Sequence, residues 1–187
     1  MAVYFISESA IKDTTILNEN VDPKLIAPAI IESQDIHLQT IIGSNLYTAI
    51  SGMIGDGTIS QAANVAYKRL LDTYIQHALK YYVLAELVLP MTIKLNNKTV
   101  ATRSSENAQP IALDDMALVR ETFMNKAELY AQRMTNYILD NRDLYPQYLT
   151  GIAGYSVILP KRTSYTSGMY LGYDSDCIDG MNFPNPK

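Results

Sequence analysis

From Gln61 to Leu89 the chain runs for 29 residues without a glycine or a proline. Within that run Ala63, Tyr67, Leu70, Tyr74, His77, Tyr81, Leu84 and Val88 recur at alternating steps of four and three, the spacing of one face of an α-helix. A second row, Leu71, Ile75, Ala78 and Tyr82, widens the apolar surface, so the pattern predicts a central helix touched on more than one side. Ser60 is the expected N-cap, and Pro90 the expected end. A second long run has the same regularity. From Asp114 to Asp140 the seam is Met116, Val119, Phe123, Ala127, Tyr130, Met134 and Tyr137, with Arg120, Glu121, Asn125, Glu128, Gln132 and Asn136 outside. At 1.5 Å rise per residue this helix spans roughly 40 Å. Two such helices can pack antiparallel over most of their length, and the predicted fold class is all-α, a helical bundle.

The remaining segments are organised around that pair. Tyr4-Phe5-Ile6 reads as a short apolar lead-in strand or staple before a helical turn capped at Ser7. Asp22-Pro23 is an N-cap followed by proline at the first helical position, where the missing N–H costs nothing. Pro28 lies too deep for that exemption, so a kink or a restart before Ala29 is expected. Ile30, Ile31, Leu38, Ile41 and Ile42 then cluster on one side, Gly43 fits a left-handed closing residue, and Ser44 can cap a continuation through Ile50. Gly52 to Thr58, with three glycines and an Asp-Gly pair, reads as a loop.

Between the long helices, residues 92–104 place Ile93, Leu95, Thr99 and Val100 around an Asn96-Asn97 turn, the pattern of a two-stranded β-hairpin arm. An isolated hairpin is marginal in water, so the arm needs support from the same chain or a neighbour. Its basic residues, Lys94, Lys98 and Arg103, either keep the hairpin from pairing edge to edge or meet an acidic partner. Residues 1–149 therefore form the helical domain, and residues 150–187 a tail of different composition. The tail holds five of the nine glycines, three of the eight prolines and four of the fourteen tyrosines. Such a segment builds no core of its own, but Tyr155, Tyr165, Tyr170 and Tyr173 can bury large area against a partner, which makes it a docking extension.

Composition limits the function classes. The 187 residues carry 15 Lys+Arg against 19 Asp+Glu, a net charge of −4, and only 18% are charged against about 25% for an average soluble chain. Sparse charge points to extra buried surface in an oligomer, and the acidic balance argues against a chain that grips phosphates. A chain of this length buries roughly 70% of its unfolded surface as one domain, without disulfides or metal. Cys177 is the single cysteine, which excludes an internal disulfide and a cysteine-based zinc site. No signal-peptide pattern opens the sequence, and Leu144 to Pro160, a long uncharged stretch, is broken by prolines and glycines, so no membrane anchor is expected.

Chemical motifs fare no better. His37 and His77, the two histidines, lack metal-ligand spacing, and His77 on the tyrosine-rich row reads as a packed, hydrogen-bonded group. Asp114-Asp115 caps a helix. Asp174, Asp176 and Asp179 miss the register of a calcium loop, whose twelfth position here is Asn185. The glycines at 52, 55 and 57 are not followed by Gly-Lys-Ser/Thr, and no Gly-x-Ser-x-Gly occurs. No catalytic residue, metal or cofactor is expected, and the chain reads as a non-enzyme.

The order of elements carries a resemblance. Val21-Asp22 through Gln34, Ile41-Ile42-Gly43-Ser44-Asn45-Leu46-Tyr47, the arm from Ile93 to Arg103 with Ser104-Ser105-Glu106, and Ala131 to Tyr148 with Tyr137-Ile138-Leu139 and Tyr145-Pro146-Gln147-Tyr148 resemble head-to-tail connector (adaptor, head-completion) proteins of tailed bacteriophages. The match is nearest to a variant from crAss-like and other Bacteroidetes phages, and it covers roughly residues 5 to 149. It implies a structural virion protein in the neck between capsid and tail, made in the host cytoplasm. It also implies a homo-oligomeric ring, twelve-fold, below the portal protein and above downstream connector or tail proteins, with genomic DNA passing through the lumen unread. The arm residues Ile93, Lys94, Leu95, Lys98, Val100 and Arg103 and the tail tyrosines are then interface residues. The alternative is a small cytoplasmic helical binding or regulatory module.

Overall fold

The computed structural model describes residues 3–95, 100–102, 113–148 and 158–160. The fold is all-α. Helix α1, Glu8–Thr14, starts where Ser7 Oγ accepts the Ala10 N–H at 3.2 Å. The residues before it form no strand. Ile6 and Ile11, flanking the cap at the two staple positions, are both buried. The backbone of this lead-in is held by side chains from elsewhere: Phe5 N–H donates to Gln34 Oε1 at 2.8 Å, Gln34 Nε2 to the Val3 carbonyl at 2.9 Å, and Gln76 Nε2 to the Phe5 carbonyl at 3.1 Å.

Helix α2, Pro23–Glu32, begins with Pro23 at its first position, and the Asp22 carboxylate accepts the Lys24 N–H at 3.0 Å. Pro28 neither kinks nor restarts it. The carbonyl that loses its partner belongs to Lys24, and both residues are exposed, so water takes the place of the missing N–H. One π-turn, Ser33–Leu38, joins α2 to α3, Gln39–Gly55. Inside α3 the helical path breaks at Gly43, whose φ of 79° is positive as expected but whose ψ of 157° is extended rather than left-handed helical. The helix resumes at once and continues past the expected stop at Ile50, because Ile50 and Ile54 still face the core. Gly52 and Gly55 are therefore helical, and only the Asp56-Gly57 step turns, with Gly57 left-handed at φ 69°.

Two 3₁₀ turns, Thr58–Ser60 and Ala62–Asn64, precede α4, Val65–Leu70, so the long helix begins four residues later than expected and Ser60 is not its cap. A second π-turn, Leu71–Ile75, carries α4 into α5, Gln76–Thr92. Helix α5 runs through Pro90 to Thr92, whose hydroxyl donates to the Val88 carbonyl at 2.7 Å. The backbone then pairs Ile93–Leu95 antiparallel with Val100–Thr102, Ile93 opposite Thr102. Three paired residues a side do not make the hairpin arm expected over 92–104. Lys98, Arg103 and the intervening turn lie outside the described residues, and the fold class rests on the helices.

Helix α6, Leu113–Asp140, falls almost where the sequence put it, with Asp114 and Asp115 in its first turn. It packs antiparallel on α5: Tyr74 stacks on Tyr137, Tyr81 on Tyr130, and Glu86 meets Arg120. The small residues Ala78, Ala127 and Ala131, with Tyr82, allow the close contact along this seam. Val119 of the expected seam is exposed, while Ala131 and Ile138 are buried in its place. The buried stripe drifts around a straight helix in this way because 3.6 residues per turn do not divide seven. On the core side, Ile26, Leu38, Ile42, Leu46, Leu79 and Met134 form one continuous apolar cluster with Phe5 and Tyr145. Two more 3₁₀ turns, Arg142–Leu144 and Pro146–Tyr148, fold the chain back so that Tyr145 donates to the Ala66 carbonyl at 2.9 Å.

Candidate functional site

Three arrangements of polar and aromatic groups stand out around the α5–α6 pair. The first is a ladder of rings on the side facing away from α2 and α3. Its rungs are Tyr74 on Tyr137, with centroids 4.1 Å apart and planes at 15°, and Tyr81 on Tyr130, at 5.5 Å and 11°. His77 lies between the rungs, 5.9 Å from Tyr130. Residues three, four and seven apart on each helix place these rings in one row. Cations border the row: Lys80 Nζ is 5.4 Å and Lys126 Nζ 5.9 Å from the Tyr81 ring, and Arg133 Cζ is 5.8 Å from the Tyr130 ring. Among the described residues no carboxylate lies within ion-pair distance of these three cations. Tyr74, His77, Tyr130, Arg133, Tyr137 and Asp140 are among the walls of an open groove of about 650 Å³.

The second lies on the opposite side of α5. There His37, carried on the π-turn, stacks on Tyr82 at 4.4 Å and 6°, and its Nε2 is 2.9 Å from Glu86 Oε1. The same carboxylate oxygen accepts from Arg120 Nη2 at 3.0 Å. One glutamate on α5 thus joins the π-turn to the start of α6. Arg120 Nε is buried without a partner beside it. Burial, assisted by the Glu128 charge, pushes the Tyr82 phenol up to about 12.

The third is where the chain returns after residue 157. Ser44 N–H donates to the Ile158 carbonyl at 2.9 Å, and Ile158 N–H donates to Ser44 Oγ at 2.9 Å. Pro160 is buried against Gly43, where an added Cβ would sit 2.8 Å from its Cδ and 2.9 Å from its Cγ. Glycine is required twice over at this position, by its dihedral angles and by the close approach.

The expected interface residues fall mainly elsewhere. Ile93 is half-buried at the end of α5, while Lys94, Leu95 and Val100 belong to the paired backbone. Lys98, Arg103, Tyr155, Tyr165, Tyr170 and Tyr173 lie outside the described residues. His77 lies on the tyrosine row, 5.9 Å from the Tyr130 ring, but is exposed and not packed as its spacing suggested. Glu86, Arg120 and the Gly43-Ser44 seat went unassigned; the stack of α5 tyrosines on α6 tyrosines was open to reading, since both rows share one period and the helices were expected to run antiparallel. Among the described residues no three of His, Cys, Asp and Glu come together to hold a metal ion, and no helix is long and apolar enough to cross a membrane.

Compared with known proteins, the chain matches no curated protein and no solved structure. A family model does match, over residues 38–153, which takes in α3 through α6, the tyrosine ladder, and Tyr82, Glu86 and Arg120 of the second arrangement but not His37. The chain therefore belongs to a family of unknown function (DUF6712).

Proposed function

We propose that this chain is a structural subunit of a phage neck, assembling as a homo-oligomeric ring, twelve-fold, beneath the portal protein and above the next connector or tail protein. The resemblance of residues 5 to 149 to head-to-tail connectors suggests the reading, and one observation carries it. Leu89 and Met91 at the end of α5, and Leu118 and Val119 at the start of α6, stay 47, 39, 63 and 39% exposed at the same end of the helix pair. Exposed apolar side chains at this end of the pair are area that a partner can bury. In the ring, contacts between neighbours are heterologous and close by rotation. The residues between α5 and α6, including Lys94, Lys98 and Arg103, reach a neighbour or the portal there. DNA passes through the lumen unread, since a mildly acidic chain holds phosphates weakly, and the subunit turns over no substrate.

The test is the mass of the purified full-length protein in solution, alone and mixed with the portal from the same source. Rings, or joint assembly with portal, support the reading. A stable monomer indifferent to portal refutes it and moves the function to a small helical binding module.

A further inference from the structure

We propose that the tyrosine ladder on the outer side of α5 and α6 is a docking groove for the acidic tyrosine segment of a second copy of this chain, Tyr170 to Asp179. The groove offers stacked aromatic faces with cations along its edge. Lys80, Lys126 and Arg133 lie over ring faces with no carboxylate within ion-pair distance among the described residues, and Asp140 is the acid at the groove's far end. The segment Tyr170-Leu-Gly-Tyr-Asp-Ser-Asp-Cys-Ile-Asp179 is the chemical complement: two tyrosines, three aspartates and no lysine or arginine. Tyrosines stack against the half-buried rungs at low entropic cost, and carboxylates meet cations already held in place.

The direction of the tail argues for a neighbour. Its last described residue, Pro160, is pinned at Gly43. Thr40 and Ile41, just before Gly43, flank the other side of α6 together with Gln132 and Thr135. The tail therefore sets out from α3, and Pro160 is not among the residues that line the ladder's groove. The nine residues from Lys161 to Met169 reach at most about 30 Å. In a side-by-side assembly that reach is enough to meet the adjacent copy. The inference rests on the ring reading only in needing a second copy alongside.

The tail's single cysteine, Cys177, supplies the reporter. Two full-length chains of different tagged size are co-expressed, one carrying Thr73→Cys with Cys177→Ser, the other unchanged, and mildly oxidised. Thr73 is exposed and lines the groove. A disulfide of mixed size, resolved on a non-reducing gel from either self-linked pair, forms only when Cys177 of one chain reaches the groove of the other. The mixed band is expected. Lys80→Glu with Lys126→Glu in the groove chain should lower it roughly tenfold, and Asp174→Lys with Asp176→Lys in the tail chain should restore it. Absence of the mixed band, or a link forming only within a single chain carrying both Thr73→Cys and Cys177, overturns the proposal. So does a mixed band indifferent to charge reversal. A single-stranded oligothymidylate that binds the full-length chain and removes the band would make the ladder a nucleic-acid platform instead. The mass measurement separates the two readings: multimers without the mixed band refute this docking alone, whereas a mixed band confined to dimers refutes the ring alone.

Discussion

Replacing Gly43 by alanine tests the account of the α3 break and of the returning chain together. At φ 79° and ψ 157° the backbone occupies a region that is essentially glycine's alone, and a residue with a Cβ held there costs about 1–3 kcal/mol. The new methyl would also lie 2.8 and 2.9 Å from two carbons of the Pro160 ring and 3.3 Å from the Ile158 carbonyl oxygen. That ring is not the loose end of a flexible side chain, so residues 158–160 must move. Moving them breaks the pair of Ser44–Ile158 hydrogen bonds, worth about 0.5–1.5 kcal/mol each. The total for Gly43→Ala is therefore about 2–6 kcal/mol, read from urea unfolding followed by circular dichroism at about 222 nm. Pro160→Ala removes the obstacle and leaves the dihedral strain, so the double variant should lose less than the sum of the two single ones. Gly52→Ala is the control: it is helical, has nothing within 4 Å of its Cβ position, and should gain about 0.5–1 kcal/mol. A Gly43→Ala protein within about 0.5 kcal/mol of the parent, or two single losses that simply add, would sink the argument.

Further outcomes are expected elsewhere in the bundle. Glu86→Ala strands both His37 and Arg120 and should destabilise the chain by about 1–3 kcal/mol, with Glu86→Gln losing less; equal losses would mean that the bridge is not what holds the π-turn to α6. Alkaline pH should unfold the protein through its phenols. Tyr82 is raised to about 12 by burial and then by Glu128, and Tyr145 is raised by burial and then by its Tyr137 neighbour, so the folded chain holds these protons more tightly than an unfolded chain titrating near 10. Their contribution is whole below pH of about 10 and is lost as the pH climbs toward about 12; Tyr82→Phe should flatten that fall by about 2–3 kcal/mol, and an unchanged alkaline limb would refute the assignment. Ala127→Leu overfills the seam between α5 and α6, where Ala127 is fully buried beside Ala78. The expected loss of about 1–3 kcal/mol should lower the thermal midpoint by roughly 2–12 °C, and an unchanged midpoint would show that the seam has room to spare.

What could be read in the sequence follows from what is local. Ser7, Asp22-Pro23 and Asp114-Asp115 act within four residues of themselves, and the starts of α1, α2 and α6 fall on them or within a residue. The long tyrosine-bearing helix was legible because burial repeats along it, although its opening turns at 58–64 were not, as 3₁₀ and α-helix share nearly the same spacing over so few residues. Prolines and glycines misled where tertiary packing overrode them. Pro28 and Pro90 sit in helices that continue, and Gly52 and Gly55 stay helical because Ile50 and Ile54 on the same helix are packed. The π-turns leave no mark on a pattern of apolar residues. The bridge of His37, Glu86 and Arg120 joins groups separated by 49 and 34 residues, and only the three-dimensional path brings them together.

The seat at Gly43 and Ser44 also decides how the chain bears load. A pull on Pro160 reaches the bundle at Ser44, through one hydrogen bond accepted and one donated by Ile158, with the proline ring wedged against Gly43. Tension is thereby delivered to the first half of α3, beside its break at Gly43. Helix α3 is at that point already broken, so the pull meets a bend and not a straight rod. In the neck proposed above, such an anchor would take load at α3, apart from the α5–α6 pair.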